Sequence, residues 1–365
     1  MIFLVAALLA AASVSPAGET VRIAVGRFPD AVVISGAELR ATSSDGELEL
    51  QGGTLTLTAT KTGMRVGKTV LKGDIVRVRS PSTLSLRGHR YHRELEVRWR
   101  RYDGKPELLV VHPLDLETYV AGIVSAELPG GWPLEAYKAQ AVAARTFAVW
   151  QKYRRLALPY HMESSVLDQV YAGVDREHPL AIQAAAQTKG LVLTSKRHVA
   201  QAYFHAACGD RTESALEGWG TALPYLPGSK CGKCTAANRH AWTAHIKRAD
   251  VDKAFRGLLG EAVQSLAVTA KTKTGRTKTV LVTGKTKSKL ITGADLRRLL
   301  GYTTVWSTWI DAMSFEGPAL VIKGKGTGHG IGMCQWGARG FAAEGKRFEE
   351  ILAVYYPGAP LMRLY

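Results

Sequence analysis

The chain of 365 residues carries 48 Lys and Arg against 31 Asp and Glu, a formal net charge of +17. At ~150 residues per domain this length holds two or three domains. With 46% hydrophobic and 22% charged residues the composition excludes wholesale disorder, a collagen-like fibre and a multi-span membrane protein, and four cysteines exclude a disulfide scaffold. The positive balance asks for a polyanionic partner: nucleic acid, an anionic membrane surface, or a cell wall bearing carboxylates or phosphates.

Ile2 to Ala12 is an uncharged apolar run, too short to span a bilayer comfortably, followed by small residues from Ser13 to Gly18. This is the pattern of a signal-peptide core and cleavage region over residues 1–18. No Lys or Arg precedes the run, so a buried strand is the competing reading. Export to the periplasm or cell envelope is the expectation, with no transmembrane helix left in the mature chain. An exported protein meets little nucleic acid, and the charge then points to the envelope.

Residues 19–110 read as β-rich: Val21–Val25, Glu47–Leu50, Thr54–Leu57 and Leu95–Trp99 alternate or run apolar between Gly-rich and Ser-rich turns. At Leu114 the period changes. Asp115 can cap a helix in which Tyr119, Val120, Ile123 and Val124 recur at helical spacing up to Glu127. Leu128-Pro129-Gly130-Gly131-Trp132-Pro133 stops it, because proline lacks the amide donor and the glycines free the backbone. A second helix begins at Pro133 and runs through an Ala-rich stretch to about Tyr153; Pro179 to Lys189 reads as a third, and Leu191–Leu193 as a strand. Lys271 to Leu290 alternates basic residues with Thr and Val, a basic β-ribbon near 265–290 inserted in the region 111–365. The fold class is α+β.

Among chemistry-bearing residues, Glu127 ends the first helix, where the negative end of the macrodipole and any desolvation both favour a protonated carboxyl. An exposed glutamate at a helix end is the bland alternative. Gln140 and Arg145 interrupt a small-residue helix, and a polar group on a closely packed face needs a partner such as a carboxylate or a sugar hydroxyl. Glu135 and Lys138 look like a surface pair. His205-x2-Cys208 and Cys231-x2-Cys234 have the spacing of a closed Cys3His site for structural zinc, with a Cys231–Cys234 disulfide as the competitor. His329 lies in a run of glycines whose amides can approach a ligand. Cys334 reads as a buried thiol or, beside a His, a nucleophile.

Four ordered motifs, Glu127-Leu128-Pro129 with Trp132-Pro133, Glu135 to Phe147, Asp168 to Gly173, and Gly328 to Ala338, resemble the SpoIID/LytB family from about Val111 to Tyr356. The resemblance implies action on peptidoglycan glycan strands as a lytic transglycosylase, with Glu127 as the catalytic acid and Arg145 functionally important. Gln169, Tyr171, His329 and Gln335, with Gln140, become candidates for the glycan groove. An ordinary glycosidase needs two carboxyls, whereas a lytic transglycosylase needs one, because the substrate's own 6-hydroxyl attacks to form a 1,6-anhydro sugar. The resemblance also allows a non-catalytic wall-binding protein that recruits or enhances an amidase. Leu128 stands where the family has Met, and Cys334 where it has Ser.

Overall fold

The computed structural model describes residues 19–48, 50, 53–164, 168–169 and 171–365; the expected signal segment 1–18 lies outside them. No helix among the described residues is long and apolar enough to cross a membrane.

The N-terminal region is an antiparallel sheet built on three long strands, Ile75–Leu86, His89–Tyr102 and Lys105–Asp115. Two-residue turns join them, Arg87-Gly88 with φ of 51° and 78° and Asp103-Gly104 with φ of 50° and 73°. Positive φ at both positions gives the turn a twist that matches the flanking strands. Thr20–Phe28 pairs with Lys105–Asp115, while Ala31–Gly36 and Thr54–Ala59 extend the opposite side. Along Lys105–Asp115, Leu108 and Val110 enter the main core, and Leu109 and Val111 pack with Ala24 and Tyr160 on the other face. A strand covered on both sides needs an unbroken apolar run, and Leu108 to Val111 supplies it.

That strand runs directly into the first helix. Asp115 closes the strand and caps α1 (Leu116–Glu127), its Oδ1 accepting from the amides of Glu117 at 2.9 Å and Thr118 at 3.2 Å. Pro133 then stands just before α2 (Leu134–Arg154) with φ −60°. Ala136, Ala139, Ala141, Ala143, Ala144 and Ala148 of α2 are all buried, since this helix is enclosed by α1, α3 (Pro179–Gln187), the strand Leu191–Ser195 and two later helices. Small side chains on every face let the neighbours approach closely. The remaining helices are α4 (Ala215–Trp219), α5 (Arg248–Leu259), α6 (Gly293–Leu300), α7 (Gln335–Ala343) and α8 (Phe348–Tyr355). One core runs from Val21 through α1 and α2 to Tyr356. The sequence changes period near residue 110, but the buried core continues across that point.

The expected ribbon near 265–290 is instead part of a larger insert with a core of its own. Ser265–Lys271, Thr277–Thr283 and Ser288–Thr292 form a three-stranded sheet, and Ala241–Lys247, Ala319–Lys325 and Trp309–Glu316 form a second. Phe255 of α5, Val280, Val282, Leu296 of α6, Leu320 and Ile322 fill the space between them. Lys271, Lys273, Lys278, Lys287 and Lys289 are exposed, as a solvated basic face requires. Arg276 is the exception: it is buried, donates from Nη2 to the carbonyl of Cys208 at 2.7 Å, and lies against Gly330, where an added Cβ would stand 2.3 Å from its Cζ. The glycine run around His329 is thus shaped partly by this buried guanidinium.

Candidate active site and thiol cluster

Glu127 is the last residue of α1 and only partly exposed. Its Oε2 accepts a hydrogen bond from Gln335 Nε2 at 3.0 Å, across 208 residues of sequence. Burial raises the pKa of Glu127, and the Gln335 amide, which favours the ionised form, draws it part of the way back. Among the described residues Gln335 is its one side-chain hydrogen-bond partner, and no carboxylate pairs with it. The helix terminus adds to the protonated preference, because the carboxyl sits at the end where backbone carbonyls point outward.

The loop after Glu127 is held from several directions. Tyr137 Oη donates to the carbonyl of Pro129 at 2.7 Å, and its ring stacks on His178 at a centroid distance of 5.9 Å and 9° between planes. The amide of His178 in turn donates to Ser125 Oγ at 3.0 Å. Trp132 at the end of the loop meets Trp336 edge to face at 5.0 Å, so the residue after Gln335 packs against the loop that follows Glu127. The guanidinium of Arg339 lies 5.1 Å from the Trp336 ring and 5.9 Å from that of Trp132. Sequence reasoning passed over Trp336 and Arg339; the available signal was their spacing of one and four residues from Gln335, which sets Gln335 and Arg339 on one helix face.

Among the described residues, Gln335 is the one of the expected group that hydrogen-bonds to Glu127. Arg145 is fully buried and holds Glu117, with Nε to Oε1 at 2.9 Å and Nη2 to Oε2 at 2.5 Å, and it also donates to Ala185 O, Leu191 O and Thr188 Oγ1. Glu117 stands ten residues before Glu127 on α1, about 15 Å along the helix, so the expectation that Arg145 positions or tunes Glu127 is corrected: it ties α1 to α2, α3 and the following strand. A cavity of about 370 Å³ beside Glu117 and Tyr365 lies at this same far end of α1. Gln140 is fully buried in α2, with no hydrogen-bond partner for its amide among the described residues. Gln169 is buried and accepts from Tyr119 Oη at 2.9 Å. Tyr171 packs on Gly122, where a Cβ would come 2.7 Å from its ring, and beside His112 and Tyr119. Asp168 accepts from Gln151 at 2.8 Å, from Arg155 and from the amide of Glu163. The Asp168 to Gly173 motif therefore cements the sheet to α1 and α2. His329 is similarly occupied: Nε2 donates to Phe204 O at 2.9 Å and Nδ1 accepts from the amide of Ile331 at 3.1 Å, and burial lowers its pKa to about 4. Glu135 and Lys138 form the expected pair at 2.6 Å.

The metal-ligand set also changes. The sulfurs of Cys208, Cys231, Cys234 and Cys334 all lie within 4.8 Å of one another, buried, with Cys208 Sγ 3.5 Å from Cys234 Sγ. Cys334 thus takes the place expected of His205. The imidazole of His205 donates from Nδ1 to Ile331 O at 3.1 Å and is not among the four clustered ligands. The amides of Cys208 and Gly337 donate to Cys334 Sγ at 3.2 and 3.3 Å. Cys231 and Cys234 carry free thiols, so the disulfide alternative is not the state seen. These four thiols could hold a metal ion, and four protein ligands would leave it no open position. Cys334 also caps α7, whose first residue is Gln335, so the cluster and Glu127 are joined through one helix terminus.

Comparison with known proteins decides the family. The model of the stage II sporulation protein (SpoIID) family matches residues 104–195. Stage II sporulation protein D of Bacillus subtilis is 31% identical over 267 residues, covering 69% of this chain and 75% of its own length. The chain belongs to the SpoIID/LytB family. An uncharacterized protein of Brachyspira hyodysenteriae is 32% identical over 258 residues, 70% of this chain and 68% of its own. The amidase enhancer of Bacillus subtilis is 26% identical over 290 residues, which is 66% of this chain and 40% of that longer protein. Family membership supports a cell-wall-related role, and the residues matched by the family model include Glu127, Gln140, Arg145, Gln169 and Tyr171.

Proposed function

We propose that this protein is an exported peptidoglycan lytic transglycosylase of the periplasm or cell envelope. Glu127 protonates the glycosidic oxygen between N-acetylmuramic acid and N-acetylglucosamine, then removes the proton of the muramyl 6-hydroxyl as that oxygen closes on the anomeric carbon. The observation that carries this reading is a carboxyl, partly buried at the negative end of α1 and held by one neutral amide, with no carboxylate paired to it among the described residues. A hydrolase would need a second carboxyl to act on water or on the sugar. The chain's own part is to raise the pKa of Glu127 by burial and to fix its direction through Gln335.

In the same reading Cys208, Cys231, Cys234 and Cys334 hold one structural zinc ion. Tetrahedral Zn–S bonds of ~2.3 Å put sulfurs roughly 3.8 Å apart, which the 3.5 Å separation of Cys208 and Cys234 Sγ and the 4.8 Å bound on the group accommodate. Zinc would hold Cys334, and with it the start of α7.

The test is mass spectrometry of purified glycan strands after incubation with the wild type and with Glu127→Gln. Products ending in 1,6-anhydro-N-acetylmuramic acid, formed by the wild type and lost in the variant, support the reading. Reducing ends would make the protein a hydrolase. The amidase enhancer relative favours a second reading, a wall-bound partner that recruits or enhances an amidase, and stimulation of an amidase equally by wild type and Glu127→Gln without strand cleavage would establish it.

A further inference from the structure

Arg339 lies one helical turn from Gln335, the residue that holds the proposed acid, with its charge uncommitted. It sits four residues after Gln335 on α7, so the two side chains are neighbours on one helix face, with Cβ atoms about 5–6 Å apart. Gln335 reaches Glu127, which puts Arg339 one helical turn along the same wall. Its guanidinium rests against Trp336 and Trp132, and these rings fix where the cation is held. Yet it forms no ion pair and no hydrogen bond among the described residues, and its Nε is buried without a partner. Other arginines of the main core differ: Arg145 and Arg155 each hold a carboxylate. Glu127 does not serve Arg339, since an amide occupies Glu127 instead.

A guanidinium pinned on aromatic rings, partly exposed and lacking a carboxylate, presents a planar fork of donors matched to a carboxylate. We propose that Arg339 is a specificity-determining residue that binds a carboxylate of the glycan substrate close to the bond Glu127 acts on. This rests on the glycan-cleaving reading for the identity of the substrate. The chemistry of that substrate offers two sources. One is the lactyl carboxylate on C3 of the muramyl ring, two ring carbons from the scissile bond and free only where no stem peptide is attached. The other is a carboxylate within a stem peptide.

Binding is measured with Glu127→Gln as the background, so that no cleavage is needed, using tryptophan fluorescence from Trp132 and Trp336 or calorimetry. Three probes are compared: peptide-free glycan strands, the same strands with their lactyl carboxylates converted to amides, and strands that keep their stem peptides. The proposal expects amidation to weaken binding by about tenfold or more, the size of one charge-assisted hydrogen bond, and expects Arg339→Met to weaken binding of the carboxylate form by the same factor while leaving the amide form unchanged. Arg339→Lys keeps the charge but not the fork, and should recover only part of the affinity. If peptide-bearing strands bind like the amidated ones, the lactyl group is the partner; if they bind best and lose that advantage in Arg339→Met, the stem peptide is. Equal affinity of the Glu127→Gln protein for carboxylate and amide forms, with stem-peptide strands unaffected by Arg339→Met, overturns the proposal. Because this readout is binding, it stands or falls apart from the search for 1,6-anhydro ends.

Discussion

Replacing Arg145 by Met separates a structural ion pair from a catalytic one. The Arg145 side chain is fully buried and that of Glu117 is 17% exposed, so the substitution strands a carboxylate that has little access to water. Breaking a buried pair by removing one partner costs about 3–5 kcal/mol. Glu117 keeps two donors, the amide of Gly190 at 3.2 Å and Tyr365 Oη, which places the loss near the lower figure, about 3 kcal/mol. Ala185 O and Leu191 O lose a donor as well, and this keeps the figure from falling further. At roughly 2 °C per kcal/mol for a chain of this size, the melting temperature should drop by about 6 °C. Turnover measured well below the transition should stay within a fewfold of wild type, because the pair lies about 15 Å from Glu127 along α1. Scanning calorimetry and strand cleavage on the same preparations give both numbers. A hundredfold loss of turnover with an unchanged melting temperature would refute the reasoning and return Arg145 to the chemistry.

Four further outcomes follow from the site. Glu127→Gln should keep its melting temperature and glycan binding while cleavage falls by ~10²–10⁴-fold, the usual contribution of a positioned general acid; cleavage at the wild-type rate would remove Glu127 from the mechanism. Cleavage should decline as pH rises through the raised pKa of Glu127, since only the protonated form donates. Gln335→Leu removes a bond that favours the ionised carboxylate, so this basic limb should move up; a downward shift would contradict the geometry. Elemental analysis should find one zinc per chain, and chelation or Cys334→Ser should lower the melting temperature because metal binding is coupled to folding, whereas His205→Ala should leave zinc content unchanged. N-terminal sequencing of envelope-associated protein should begin near Ala17 or Gly18, and retention of Met1 in cytosolic protein would speak against export.

Local chemistry was legible in the sequence wherever it acts over a few residues. The Asp115 cap, the stop at Leu128 to Pro133, the Ala-rich second helix and the paired turns of the N-terminal sheet all follow from backbone preferences that neighbouring residues determine. The family motifs also picked out Glu127, whose place at the end of a helix fixes half of its environment. Which motif residues face substrate could not be read in this way. Gln140, Arg145, Gln169 and Tyr171 look like polar groups awaiting a ligand, but packing of the sheet against α1, α2 and α3 encloses them: Arg145 is met by Glu117 and the Gln169 carbonyl by Tyr119, while the Gln140 amide and the Tyr171 hydroxyl are enclosed without a hydrogen-bond partner among the described residues. The thiol site shows the same limit. Spacing joined Cys208, Cys231 and Cys234 to the nearby His205, whereas the fold carried in Cys334 from 100 residues further on and gave His205 the carbonyl of Ile331 as its partner. Contacts between Glu127 and Gln335, and between Arg339 and the two tryptophans, span long or helical intervals that no linear pattern records. They exist because α7 is set down, Cys334 first, against the end of α1, and only tertiary packing decides where a helix terminus lands.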